Sequence, residues 1–178
     1  DLYSAEEQII EALPKMIEKA NNKQLKKALK QHLQVTAKQK DRLEQVLEQF
    51  GEEGEQKSGG ILGIFKRGEK CAAMEGIITE GEKLMKEDMS PEVSDAAIIA
   101  AAQKVEHYEI SSYGTARAYA QELNLKKVEG LLKQTLDEEY EADDLLTELA
   151  ESRINEKAIS ENGGSGSSRQ RGRSGSRQ

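Results

Sequence analysis

Residues 100–120 read AAAQKVEHYEISSYGTARAYA. Steps of alternately three and four residues pick out Ala102, Glu106, Glu109, Tyr113, Ala116 and Ala120, which lie on one helix face. Two of those six are glutamates at positions that the periodicity assigns to an interior. Toward the N-terminus the same face carries Ile99. Ser90-Pro91-Glu92 opens the helix as a cap followed by proline in the first turn does. The pattern predicts one helix from Ser90 to about Leu123, with Asn124 as the break after it.

The stretch LLKQTLDEEYEADDLLTELAE, residues 131–151, continues the theme. It belongs to a helix expected from about Leu125 to Asn155, with Val128, Leu132, Thr135, Glu139, Ala142, Leu146 and Leu149 inward. Upstream, Leu2 to Ala20 points Leu2, Glu6, Ile9, Leu13, Met16 and Ala20 inward, and Pro14 is expected to kink it. After Asn21-Asn22, a helix from Lys23 to Phe50 offers Leu25, Leu29, His32, Thr36, Gln39, Leu43, Val46 and Phe50, with Gly51 as its stop. The glycine-rich residues 51–68 read as a mobile connection. A shorter helix, about Glu69 to Lys86, follows with Met74, Ile77, Ile78 and Met85 apolar. Cys71, near its start, has no basic partner and reads as structural.

Two helical hairpins joined by a crossover of roughly forty residues with its own short helix make an all-α, ferritin-like four-helix bundle. Residues 1–159 are expected to form it, and residues 160–178 a disordered Gly/Ser/Arg tail. The whole chain of 178 residues has 26 Lys and Arg against 33 Asp and Glu. Residues 163–178 hold four Arg and no acid, so the rest carries 22 basic and 33 acidic groups, a net of −11. That acidic body disfavours nucleic acid as a partner, except through the Arg-rich tail. One cysteine excludes an internal disulfide and any multi-cysteine metal site. No apolar run approaches the roughly 18–20 residues that span a bilayer, which points away from membranes and toward the cytoplasm.

The interrupted stripes carry the chemistry. An isolated buried carboxylate is costly unless it is protonated, paired or bound to a cation. At 1.5 Å per residue, Glu6 lies about 23 Å from the Asn21-Asn22 turn. Measured from Asn124, Glu109 lies about 22 Å, Glu106 about 27 Å, Glu139 about 23 Å and Asp143 about 29 Å away. If the hairpins dock with both turns at one end, Glu6, Glu109 and Glu139 share a level in mid-bundle, with Glu106 and Asp143 one turn off. Carboxylates so arranged suit iron or manganese. His32, about 16 Å up its helix, is the one histidine on a stripe; it either reaches a metal or pairs with Tyr113. His107 points about 100° away from Glu106 and belongs to the surface.

Four segments, DLYSAEEQIIEALPKM, HLQVTAKQKDRLEQV, AAAQKVEHYEISSYGTARAYA and LLKQTLDEEYEADDLLTELAE, resemble the YciE/YciF family of ferritin-like bacterial proteins, over about residues 1–154. The resemblance implies a rubrerythrin-like bundle, commonly dimeric and associated with stress responses. Members carry residues before the DLY segment, which implies that this chain begins inside its first helix. By the wider ferritin-like pattern, Glu6 matches the ligand of the first helix, Glu106-x-x-Glu109 those of the third, and Glu139 that of the fourth. Asp143 stands where a histidine would follow. The second helix departs from the pattern, because Leu29 occupies the place of the glutamate in E-x-x-H and Val35 is apolar.

Taken together, these readings predict a metal site of Glu6, His32, Glu106, Glu109, Glu139 and Asp143 for one or two ions, iron first and manganese second. Glu106 and Glu139 would bridge, and Glu6, Glu109 and His32 would be terminal. The activity expected of such a site is ferroxidase- or peroxidase-like oxidation of Fe(II) in stress defence. The rival reading is a metal-free, homodimeric interaction bundle, and the third is nucleic-acid association through the tail.

Overall fold

The computed structural model describes residues 1–57 and 70–164. Six α-helices occur among the described residues: α1 Leu2–Lys19, α2 Lys23–Lys57, α3 Ala72–Leu84, α4 Pro91–Glu122, α5 Lys126–Leu149 and α6 Asn155–Gly164. A five-residue π-helical segment, Ala150–Ile154, joins α5 to α6. No strand occurs among the described residues. The expected disordered tail starts inside α6, which carries the chain to Gly164. Residues 165–178, which hold the four tail arginines, lie outside the described residues, as do residues 58–69 of the connection.

Local signals place most of the helix ends. Ser90 caps α4, its Oγ accepting the Val93 N–H at 3.4 Å, and Pro91 occupies the first turn. Asn22 Oδ1 accepts the N–H groups of Gln24 and Leu25 at 2.8 and 3.2 Å and so starts α2. Asn124 takes a left-handed φ of 59°, which ends α4 and turns the chain into α5. One expected boundary is corrected. α2 passes through Gly51 to Lys57, since one glycine costs a helix only about 1 kcal/mol. α1 runs through Pro14 from Leu2 to Lys19, close to the expected bounds.

α1 packs on α2 and α4, and α5 packs on α2 and α4, so the four long helices close a ring with α1 opposite α5 and α2 opposite α4. α3 lies outside this ring against α4 and α1, and α6 rests on α4. The buried carboxylate of Asp95 near the start of α4 accepts the backbone N–H groups of Asn21 and Asn22 at 2.6 and 2.8 Å. The α1–α2 turn therefore sits where α4 begins. The α4–α5 turn lies at the other end of the bundle, so the hairpins dock with their turns at opposite ends, not the same end. The long crossover requires this, because it has to carry the chain back down the length of the bundle between α2 and α4.

Two apolar clusters result. One gathers Ile9, Leu13, Leu25, Leu29, Ile98, Ile99, Leu146 and Leu149 with Met74 of α3. The other gathers Leu43, Val46, Tyr113, Ala120, Val128, Leu132 and Leu136. Between them lies a buried polar layer that includes Glu6, Thr36, Gln39, Glu106, Glu109, Thr135 and Glu139.

Candidate metal centre

Each long helix contributes to that layer. α1 supplies Glu6, α2 His32, α4 Glu106 and Glu109 three residues apart on one face, and α5 Glu139. One ligand atom from each of His32, Glu106, Glu109 and Glu139 lies within 4.8 Å of the others. The carboxylates of Glu6, Glu109 and Glu139 are fully buried, and Glu106 is 2% exposed. His32 Nε2 faces Glu106 Oε1 at 3.4 Å. Glu6 adjoins Glu109 and accepts a short hydrogen bond from the Tyr113 hydroxyl. Tyr113 therefore pairs with Glu6 rather than with His32.

Protein partners leave much of this layer unsatisfied. Glu6 Oε2, Glu106 Oε2, both oxygens of Glu109, Glu139 Oε2 and His32 Nε2 are buried without a hydrogen-bond partner. Buried polar groups without partners are uncommon in folded proteins, and each calls for a cause. With Gln39 Oε1, also unpartnered, the layer holds seven such atoms, six of them on carboxylates and an imidazole that could hold a metal.

The electrostatics agree. Burial pushes the Glu6 carboxyl up to about 8, against the Tyr113 hydrogen bond that lowers it. Glu139 is pushed to about 7 by burial, with the adjoining Glu106 carboxyl opposing the rise. Glu106 and Glu109 rise well above the usual carboxylate range, first through burial and then through the charge of Glu139. Burial takes His32 down to about 4, so its imidazole is neutral at pH 7 and its ring nitrogen is free to donate a lone pair. Four adjoining carboxyls in a low-dielectric layer cannot all ionise unless cations join them. Carboxylate oxygens with one imidazole form a donor set suited to iron or manganese, so the residues present fit the expected group.

A braced polar edge supports the α2–α5 side. Gln39 Nε2 donates to Glu139 Oε1 in a short bond and to Glu138 Oε2 at 3.2 Å. Arg42, 7% exposed, donates to both Glu138 oxygens at 3.0 Å and to Thr135 Oγ1 at 2.5 Å. Gln39 stood on the predicted stripe without a role, and Arg42, one residue off it, gave no signal of burial.

Asp143 does not join the group. It accepts from Gln103 Nε2 at 3.1 Å and pairs with the exposed His107 at 3.2 Å, on the seam between α4 and α5. Four residues beyond Glu139, it is rotated about 40° off the inward face. Leu29 and Val35 bring no ligand atom, so α2 contributes His32 and the Gln39 amide in place of a carboxylate. Cys71 caps α3, its Sγ accepting the Met74 N–H at 3.4 Å and lying 3.0 Å from the Tyr108 hydroxyl. That is a structural role, as expected.

Comparison with known proteins places this layer in context. Residues 1–159 match the family described as "Domain of unknown function (DUF892)". Protein YciF of Escherichia coli (strain K12) is 45% identical over 158 residues, covering 89% of each chain. Among solved structures, the E. coli stress protein YciF superposes with a TM-score of 0.75 at 42% identity, over 87% of this chain and 91% of that one. YcfI of Rhodopseudomonas palustris, provisionally described as structural, gives 0.72 at 41% identity, over 83% and 86% of the two chains.

Proposed function

The chain belongs to the DUF892 family of YciF-type ferritin-like proteins, and we propose that it binds iron in its buried acid layer and oxidises Fe(II) in stress defence. The observation that carries the reading is the set of six buried, unpartnered ligand atoms on Glu6, His32, Glu106, Glu109 and Glu139.

Their pairing suggests how the load would be shared. Glu109 keeps both oxygens free, and Glu106 has one free oxygen and one facing His32. These two would offer the most donor atoms to a bound metal, so Glu109 takes the larger share expected of Glu139. Glu139, with Oε1 held by Gln39, and Glu6, with Oε1 held by Tyr113, would each offer one oxygen. Neutral His32 supplies the nitrogen. When bound, two iron ions supply two one-electron steps, which together convert hydrogen peroxide and two protons to two waters, or dioxygen and two protons to peroxide. The same carboxyls, protonated when free, release those protons as a cation enters.

Elemental analysis after anaerobic Fe(II) loading and desalting tests the reading, with wild type beside Glu106→Ala. Close to two irons per wild-type chain and none in the variant supports a dinuclear centre, and about one supports a mononuclear centre. Retention of stoichiometric iron by the variant rejects the assignment.

A second reading rests on exposed apolar side chains. Tyr119, Leu123 and Ile159 are 65%, 65% and 73% exposed, as suits a homodimeric interaction bundle. It requires a melting temperature indifferent to metal, whereas a true site stabilises the fold by mass action.

A further inference from the structure

His32 and Glu106 end a second feature, a partly open cavity between α1, α3 and α4 with a free volume of about 30 Å³. Its walls are aliphatic along their length, with Ile9, Leu13 and Met16 from α1, Ile77 and Ile78 from α3, and Val105 from α4. The polar groups that border it are His32 and Glu106 at the metal layer and half-buried Glu82 of α3. Glu82 is ion-paired with Lys15 of α1 at 2.6 Å, so the rim is held by a bond between two helices that the crossover brings together.

Size and polarity decide what such a space takes. A cavity of roughly 150 Å³ lined by aliphatic groups stays dry and accepts benzene or xenon. One of 30 Å³ is far too small for benzene and has room for a molecule of two or three atoms. Hydrogen peroxide would shed its water there and find no hydrogen-bond partner before His32 and Glu106. A diatomic apolar gas loses nothing on entry. On the opposite side, His32 also borders a surface pocket of about 210 Å³ between α2 and α5, with Glu138 and Glu141 in its wall. Its wall is apolar at Ala28, Val35, Ala142 and Leu145, but the Gln31 amide and the two carboxylates give a polar solute hydrogen-bonding groups that the first cavity lacks along its length.

Resting on the metal-binding reading, we propose that the cavity beneath α3 is a dioxygen site that delivers the oxidant to the His32–Glu106 end of the metal layer. A polar oxidant such as hydrogen peroxide does not depend on this cavity. The crossover helix thus has a function of its own: Ile77 and Ile78 roof the passage, and α3 is tied to the bundle through Lys15–Glu82.

Two substitutions away from the ligands test this. Ala12→Leu places a larger side chain in the wall, and Ile78→Ala enlarges the space; both positions are partly exposed, so both tolerate change. On metal-free protein, xenon titration followed by NMR should show saturable binding. That binding should weaken at least fivefold in Ala12→Leu and strengthen in Ile78→Ala. On iron-loaded protein, Ala12→Leu should slow oxidation by dioxygen at least tenfold and leave oxidation by hydrogen peroxide within twofold. Unchanged dioxygen rates in a variant that has lost xenon binding, or equal slowing with both oxidants, overturn the inference. If Ala12→Leu fails to fold, Ile78→Ala decides alone: tighter xenon binding with no faster dioxygen reaction overturns it. Elemental analysis of each sample separates the two proposals. Absence of iron from wild type rejects the metal reading and the delivery role with it, whereas normal iron with insensitive dioxygen rates rejects the delivery role only.

Discussion

His32 Nε2 and Glu106 Oε1 face each other at 3.4 Å from helices that stand diagonally across the bundle. The histidine is neutral and the carboxyl largely protonated when no cation lies between them, because burial drives His32 down and Glu106 up. A cation entering there recruits both. Glu139→Ala should therefore behave like Glu106→Ala, with bound iron lost and the helical circular dichroism spectrum kept, since neither position is needed for helix formation. Retained iron in Glu139→Ala would remove Glu139 from the site.

The same acids destabilise the empty bundle. Glu109 is fully buried with both oxygens unpartnered. Its amide isostere cannot ionise, so metal-free Glu109→Gln at pH 8 should be more stable than wild type by on the order of 1 kcal/mol. In a chain of this size that is about 2–4 °C in melting temperature. Iron loading should reverse the order, with wild type gaining and Glu109→Gln not. A metal-free variant that melts below wild type at pH 8 would show that the acid is hydrated or paired in solution.

The pH dependence of the metal-free protein follows from the direction of the shifts. Glu6 and Glu139 have folded-state values near 8 and 7 against an ordinary 4.5. The folded chain then holds more protons than the unfolded one, and stability falls as pH rises from about 4.5 toward 8. His32 works in the other direction between 4 and 6.5, its folded value being depressed to about 4. Above pH 6.5 only the acids remain in play. Thermal unfolding of chelator-treated protein should show a melting temperature several degrees lower at pH 8 than at pH 6.5. Iron-loaded protein should not show this drop, because metal binding releases the protons and grows stronger as pH rises.

The four glutamates were legible in the sequence because a charge at an apolar period is a conflict visible in one dimension. Their common level was legible too, but for a reason that leaves docking open. Glu109 and Glu139 sit near the middles of α4 and α5, and Glu6, one turn into α1, lies about 23 Å from the Asn21-Asn22 turn, roughly half the length of α4, so their levels coincide whichever way the hairpins meet. The length of the crossover contained the true direction, which Asp95 fixes by binding the Asn21-Asn22 turn. Gln39 and Arg42 were not legible as a brace, since their roles depend on Glu138 across the α2–α5 seam. Asp143 is misplaced by the same arithmetic that found Glu139, because four residues turn 400° rather than 360°.

Arg42 is the cation of that brace, nearly buried and satisfied by Glu138 and Thr135. Removing one partner of a fully buried ion pair costs about 3–5 kcal/mol. Glu138 is 26% exposed and partly rescued by water, so Arg42→Ala should cost about 2 kcal/mol in urea unfolding. Arg42→Met keeps the packing stem and should cost less. Equal losses in the two variants would assign the effect to charge, and a negligible loss in both would reduce the brace to a surface contact.

Tyr113 sets the last expectation, because its hydroxyl holds one oxygen of Glu6 and leaves the other to the metal layer. That hydrogen bond opposes the rise in the Glu6 pKa caused by burial. In Tyr113→Phe the carboxyl loses its donor, becomes harder to ionise and must give up its proton at higher pH before a cation can use it. Iron binding followed against pH should keep its stoichiometry in the variant while its midpoint moves upward. The lost buried hydrogen bond should separately cost about 1–3 kcal/mol of metal-free stability at pH 5, where Glu6 is protonated in both proteins. A purely structural tyrosine would show the second effect without the first, so an unmoved iron-binding midpoint would separate Tyr113 from the metal layer.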